Sequence, residues 1–321
     1  MKIAELSGRD EVKFDELALS YGSLFNTSRW TGIFGARIRR YGIYNDGGEL
    51  IGGFIVHCER KFGLSVYRNP PFTPSIGPFL KVEATNPVAI MDVWKKALSL
   101  MAEQIERLGF SVVSIALDKN VIDTQPFIWK KNKVVPEYTY VLDLSKDLDD
   151  IIGEMSSERR KNVNKGLKDG LAVRRVSNYR EIKSLVNKTF ARQDMKIDQY
   201  YIDKVLFEFA DDSNSFAFYA VSGDDPIACC FCLHDRHTAY YLLGGYDSER
   251  RHHGAGALSM WEAIKNAKSL GLRHFDFEGS MIPPIETYFR GFGGRLTPYY
   301  RINKGLLPIE ILLKFFKRQL F

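Results

Sequence analysis

Apolar residues recur at helical spacing from Pro87 to Leu108, with Val93, Leu98, Met101, Ile105 and Leu108 on or near one face, and Gly109 stops the run. FDELALSYGSLF predicts an earlier helix. Between them, RRYGIYNDGGELIGGFIVHCERKFGLSVYR reads as three strands joined by turns. Asn45-Asp46-Gly47-Gly48 marks a hairpin, because these residues tolerate positive φ. NPPFTPSIGPFL, with prolines at 70, 71, 74 and 78, is irregular, and SVVSIAL and VVPEYTYVLDL read as strands.

The second half starts with helical patterns in SKDLDDIIGEM, SSERRKNVNKGLKDG and REIKSLVNKTFARQ, the last with Ile182, Leu185, Val186 and Phe190 in one stripe. A fourth helix is expected near Gln199 to Phe209. SFAFYAVSG, PIACCFCLH and TAYYLLGGYD follow as strands, then a helix from Gly256 to Leu270 and a short strand, HFDFE. Alternation would place His274, Asp276 and Glu278 on one face of that strand. The halves share a plan: each has a strand entering a hairpin, and a helix that ends at Leu-Gly before a strand. The expectation is a mixed α/β chain of two tandem domains, 1–145 and 146–321, with the boundary near Leu144-Ser145.

Composition changes this picture little. Of 321 residues, 45% are hydrophobic and 26% charged, as in an ordinary globular protein. The net charge of +6 suits acidic or phosphorylated ligands, and no long Lys/Arg block points to nucleic acid. The start shows no signal-peptide pattern, and no apolar stretch is long enough for a membrane span. Cys229, Cys230 and Cys232 lack the spacing of a zinc or redox pair and read as apolar strand residues, which fits a reducing cytoplasm. No His/Cys/Asp set has metal spacing, and no G-x-S-x-G elbow is present.

Candidate chemistry concentrates in RRHHGAG, between a strand and a helix. N–H groups at a helix start converge with the helix dipole on an anion. Arg251 adds a charge, and Gly254, Ala255 and Gly256 allow close approach of a pyrophosphate. An ordinary basic turn is the competing reading.

This R-x-x-G-x-G, between the fourth strand and its helix, resembles the coenzyme-A loop of the GNAT acetyltransferase superfamily. The doubled plan, the basic SSERRKNVNKGLKDG helix and FEGSMIPPIETYFRGFGGRLTPYYRI resemble the Fem-type branch, which includes the FemABX aminoacyltransferases. The resemblance covers essentially the whole chain and is most specific from Ser156 to Ile302. It implies a fold of two GNAT-like domains, each a largely antiparallel sheet flanked by helices. It implies an acyl-CoA donor, bound by Leu242, Gly244, Tyr246, Arg251, Gly254, Ala255 and Gly256, with a backbone N–H near Leu242 to Gly244 polarising the acyl carbonyl. The chain lacks the long coiled-coil insertion of some aminoacyl-tRNA enzymes, and its glycine loop is closer to an acyl-CoA site than theirs.

In such a fold, Glu278 or Asp276 would take the acceptor proton, and Tyr288 would protonate the leaving thiolate. The competing readings are a structural role for the carboxylates and a packed aromatic at Tyr288. Arg160, Arg192, Gln193, Tyr241 and Arg290 are further substrate-side candidates, with Trp30 and Phe72 expected at an acceptor groove between the halves. The expected activity is transfer of an acyl or aminoacyl group to an amine or hydroxyl of a cell-envelope or small-molecule acceptor. The alternatives are an aminoacyl-tRNA-dependent enzyme acting on a peptidoglycan precursor, and a degenerate GNAT fold that only binds. The tail LLPIEILLKFFKRQLF predicts a basic amphipathic helix with Ile309, Leu312, Leu313, Phe316 and Leu320 in a stripe. Packing on its own domain and contact with an anionic membrane are its two readings.

Overall fold

The computed structural model describes all residues except 177, 195, 196, 280 and 317–321. Lys317, Arg318 and Leu320 of the expected tail stripe therefore lie outside the described residues. Two compact units divide the chain: Met1–Glu137 with Pro298–Phe321, and Tyr138–Thr297. The chain passes from one to the other within two strands.

The first unit contains β1 (Lys2–Glu5), α1 (Glu11–Tyr21), α2 (Ser28–Gly32), β2 (Ile38–Tyr44), β3 (Leu50–Lys61), β4 (Leu64–Arg68), β5 (Phe79–Leu80), α3 (Pro87–Glu106), β6 (Val112–Ala116), α4 (Gln125–Trp129) and the start of β7 (Lys133–Asp143). Its sheet runs β1-β2-β3-β4-β6, continuing to a strand from the far end of the chain, β13 (Arg295–Gly305). β4 and β6 are parallel, whereas β1/β2, β2/β3, β3/β4 and β6/β13 are antiparallel. The Asn45–Gly48 hairpin forms as expected, with Gly48 at φ 81 and the Asn45 N–H donating to Glu49 O at 2.9 Å. Helix α3 starts at Pro87, capped by Asn86, whose side chain accepts from the N–H groups of Val88 and Ala89. Its buried Leu98, Met101 and Ile105 pack with Phe14, Phe54 and Phe79 in the core.

The second unit holds the rest of β7, then α5 (Leu148–Glu154), α6 (Ser157–Lys168), β8 (Ala172–Val176), α7 (Arg180–Arg192), α8 (Gln199–Asp203), β9 (Ser215–Ser222), β10 (Asp225–His234), β11 (Thr238–Tyr246), α9 (Ala255–Ser269), β12 (His274–Asp276) and α10 (Pro283–Arg290). The fourth expected helix is split: α8 gives way to a π-helical turn over Lys204–Phe209. Sheet order is β7-β12-β11-β10-β9-β8, with β11 and β12 parallel and the other neighbours antiparallel. Cys230 and Cys232 lie in its core beside Phe275, Phe277 and Trp261.

Two expectations are corrected. The strand expected over HFDFE ends at Asp276. Phe277 stays buried, but Glu278 adopts φ 62 and Gly279 φ 109, so the extended run stops and Glu278 does not share a strand face with Asp276. The tail buries its stripe only in part, with Ile309 and Leu313 half-buried. In α11 (Leu307–Phe316) no residue is fully buried, and Leu312 and Phe316 are 57% and 79% exposed.

Candidate functional site

The parallel ladder between β11 and β12 pairs Thr238, Ala239 and Tyr240 with His274, Phe275 and Asp276, and then stops. β11 continues to Tyr246 without a β12 partner in the register. On its other edge, Phe231 pairs with Leu243 and Cys232 with Tyr241, so Leu242 is the extra residue of a β-bulge. A bulge bends the strand and re-aims its backbone groups. The parallel pairing thus ends before Leu242, so Leu242 to Gly244, where the backbone donor is expected, have no β12 partner in the ladder. Gly244 has a steric reason as well, since a Cβ there would lie 1.6 Å from the Tyr241 hydroxyl.

The basic glycine loop joins β11 to α9. Arg251 is exposed and makes no ion pair among the described residues. His252 braces the loop: its Nδ1 accepts from the Gly254 N–H at 3.0 Å, and its Nε2 lies 2.9 Å from Asp169 Oδ2. Lys165 first, and then His252, hold the Asp169 carboxyl below its usual range. The Ala255 N–H is also used within the loop, donating to His252 O at 3.2 Å. The next donors along the first turn of α9 are those of Gly256 and Ala257.

The role expected of Gly254 is corrected here. Its missing side chain faces α6 and not an open cradle: a Cβ would lie 2.5 Å from Asn162 O and 2.6 Å from Gly166 N. Gly254 therefore serves close helix packing. Gly256 is less crowded, but a Cβ there would still press on the Tyr288 hydroxyl, at 3.3 Å.

Tyr288 lies on α10, set by the Pro283-Pro284 start. Burial pushes its hydroxyl well above the usual range, so it stays protonated at neutral pH, as a proton donor must. The guanidinium carbon of Arg159 lies 4.4 Å from its ring centroid and 5.5 Å from that of Phe292. Arg159 is buried, and its Nε has no hydrogen-bond partner among the described residues. The Tyr241 ring packs edge-on against Phe289, 5.5 Å away, and burial likewise raises its hydroxyl. Tyr241, Gly244, Gly256 and Tyr288 are thus brought into one neighbourhood.

Asp276 is buried and accepts from Thr139 Oγ1 at 2.7 Å and from the Glu278 N–H at 3.0 Å. The Gly279 N–H donates to the same Thr139 hydroxyl at 3.1 Å. Asp276 therefore ties β7 to the turn carrying Glu278, which is half-buried. Tyr246 is clamped by Thr189, whose Oγ1 accepts its N–H at 2.8 Å, and Arg192 lies 5.7 Å over its ring. Gln193 is exposed at the end of α7. Arg160 points elsewhere: its Nη1 donates to Gly153 O at 2.7 Å and to Met155 O, closing the end of α5. Arg290 is paired with Glu286, whose carboxylate also accepts the Tyr140 hydroxyl. In the first unit, Trp30 has no exposed surface and its indole N–H donates to Thr73 Oγ1, so it supports a wall and offers no face to a ligand. Phe72 is partly exposed, at φ 57.

Arg159 escaped sequence reasoning because α6 reads as a basic solvated face. Its signal was periodicity: Arg159, Val163 and Gly166 fall at i, i+4 and i+7, and all three are buried. Among the described residues, no group of three or more His, Cys, Asp or Glu side chains is arranged to hold a metal.

Residues 157–290 match the acetyltransferase (GNAT) domain, and this stretch holds the bulge, the loop, α9 and Tyr288. Beyond that stretch, the fold of the chain is similar to the crystal structure of FemX, at 13% identity and TM-score 0.71, over 98% of this chain and 100% of that one. It is also similar to the C-terminal domain of a putative lysylphosphatidylglycerol synthetase from Agrobacterium fabrum, at 9% identity and TM-score 0.60, over 96% of each chain. L-PGS from Bacillus licheniformis aligns at 11% identity and TM-score 0.58, over 96% of each chain. A tandem GNAT protein from the clavulanic acid biosynthesis pathway aligns at 9% identity and TM-score 0.50, over 94% of this chain and 97% of that one. No curated protein matches the chain. Residues 157–290 thus carry the GNAT acetyltransferase fold, and the chain as a whole shares the fold of FemX and of the tandem GNAT protein.

Proposed function

We propose that the protein transfers an acyl or aminoacyl group from acyl-CoA to an amine or hydroxyl of a cell-envelope or small-molecule acceptor, by direct attack. The observation that carries this reading is the end of the β11–β12 ladder just before the Leu242 bulge, on the strand that leads into the glycine loop and α9. A thioester carbonyl lying there meets the backbone of Leu242 to Gly244, which stabilises the developing oxyanion. The donor phosphates lie toward Arg251 and the N–H groups of Gly256 and Ala257, where the helix dipole favours negative charge. Tyr288, held protonated by burial, gives its proton to the leaving thiolate. Glu278 accepts the proton of the attacking group, and Asp276 positions the turn that carries it. Tyr241 and Tyr246 line the same stretch of β11, and Arg192 and Gln193 lie at its rim. The test is thermal stabilisation of the protein by acyl-CoAs, by aminoacyl-tRNA and by UDP-linked precursors in parallel. A ligand at 100 times its Kd adds about 2.7 kcal/mol. Stabilisation by acyl-CoA is expected. Stabilisation by aminoacyl-tRNA alone would transfer the reading to the tRNA-dependent reaction, and turnover of no donor would leave a binding module.

A further inference from the structure

Three unusual features meet at one end of the first unit's sheet. The first is the tip of the β3–β4 hairpin. Its two-residue turn is Phe62-Gly63, at φ 51 and φ 76. Turns with both residues at positive φ favour Asn-Gly or Asp-Gly, and a bulky aromatic is disfavoured there. Yet the position holds phenylalanine, 92% exposed, with Leu64 beside it also exposed. Neither core packing nor turn chemistry accounts for that choice.

The second is a basic cavity of about 670 Å³ against the same hairpin, lined by Arg37, Arg39, Arg60 and Lys61 among others. The antiparallel register assembles it. Cys58 stands opposite Tyr67, and Arg60 opposite Ser65, so these four side chains share one sheet face. Glu59 is the one carboxylate in the lining, and it is already bound by Arg68 at 2.7 Å. Among the described residues, Arg60 and Lys61 form no ion pair with a carboxylate. On the cavity floor, the Tyr67 hydroxyl covers the Leu108 carbonyl at 3.1 Å, which removes an exposed acceptor at the end of α3.

The third is α11. Leu307, Ile311, Leu312, Phe315 and Phe316 are 72, 50, 57, 81 and 79% exposed, and they recur at helical spacing. It starts beside the cavity. The Leu306 N–H donates to Ser111 O at 2.9 Å, and the Ser111 N–H donates to Ser65 O at 2.8 Å, Ser65 being part of the cavity lining.

We infer that this end of the first unit is a docking surface for an anionic lipid bilayer. Phe62 and the apolar face of α11 enter the boundary between headgroups and acyl chains, and the basic cavity receives a lipid phosphate. Exposed aromatic and aliphatic side chains flanked by Arg and Lys are what an interfacial site requires. The charge around them selects a phosphate-bearing surface over an apolar protein partner. No helix of the described residues is long and apolar enough to cross a membrane, so the contact is with its surface. This inference does not depend on the acyl-transfer reading.

The experiment is flotation of the full chain with phosphatidylcholine vesicles, with and without phosphatidylglycerol, at low and high salt. Binding is expected only with phosphatidylglycerol, and it weakens at high salt. Arg39→Ala and Arg60→Ala each lower partitioning by about fivefold. Phe62→Ser, and separately Phe315→Ser with Phe316→Ser, lower it by about tenfold or more. All these side chains are exposed, so circular dichroism and Tm should be unchanged, and the two apolar variants lie on different elements. Absence of flotation, equal flotation on neutral vesicles, or flotation unaffected by the variants overturns the proposal. So does stabilisation by inorganic pyrophosphate without vesicle binding, which would make the occupant a soluble phosphate. Self-association abolished by Phe315→Ser with Phe316→Ser, in a protein that ignores vesicles, would show that a second copy covers the helix.

Discussion

The Asp276 carboxylate accepts two hydrogen bonds inside the protein, whereas Glu278 stands on a left-handed turn just beyond it. Their substitutions should separate cleanly. Asp276→Ala strands the Thr139 hydroxyl and the Glu278 N–H and should lower stability by about 1–3 kcal/mol, read from chemical denaturation. Glu278→Gln keeps the size of the side chain and removes the proton acceptor, so kcat should fall by about 10²–10⁴-fold, read from steady-state kinetics. Arg251→Ala should weaken acyl-CoA binding by about 10- to 150-fold, the loss of a charge-assisted contact of roughly 1.5–3 kcal/mol, read by calorimetry. The identities of these residues are legible in the sequence from their place after a strand and in a glycine loop. Their backbone angles are not. Nothing in HFDFE announces that Glu278 will turn to φ 62, because the buried Phe277 prolongs the apolar alternation past the last ladder pair.

At the scale of elements, the contact between α6 and α9 shows what a glycine pattern leaves open. Gly254 reads equally well as a site of ligand approach or of helix approach. The structure decides for the helix, because Asn162 and Gly166 occupy the space. Gly254→Val should therefore destabilise the protein by about 1–3 kcal/mol through overpacking. The check is a fall in Tm measured without donor; an unchanged Tm with lost acyl-CoA binding would return Gly254 to the cradle. Long helices were legible because periodicity over many residues averages out exceptions, as in α3 and α7. Arg159 was not legible as a buried residue. Its burial depends on Tyr288 and Phe292, more than a hundred positions away, and their aromatic faces substitute for water around the guanidinium.

At the scale of the molecule, the sequence repeat suggests two consecutive stretches, while the return of the chain to the first unit is a property of strand pairing. β13 pairs with β6 from Arg301↔Ala116 to Gly305↔Val112, and Ile302 is fully buried in the first unit's core. Arg301 also grips Glu137 through Nε at 2.7 Å and Nη2 at 2.8 Å. A chain cut after Thr297 should lose the cooperative unfolding of the first unit while residues 138–297 retain acyl-CoA binding, measured by calorimetry and ligand titration. The same pairing sets the order of events at the ribosome. Every strand of the sheet β7-β12-β11-β10-β9-β8 has been translated before β13 is complete, but the sheet beginning at β1 needs residues 301–305 to close its edge. At about 5–20 residues per second, synthesis of the intervening 138–297 stretch takes roughly ten to thirty seconds. Throughout that interval the N-terminal sheet has β6 as an uncovered edge, a template for mispairing that a nascent-chain chaperone would have to shield. The part of the protein that is made first is therefore the part that finishes folding last.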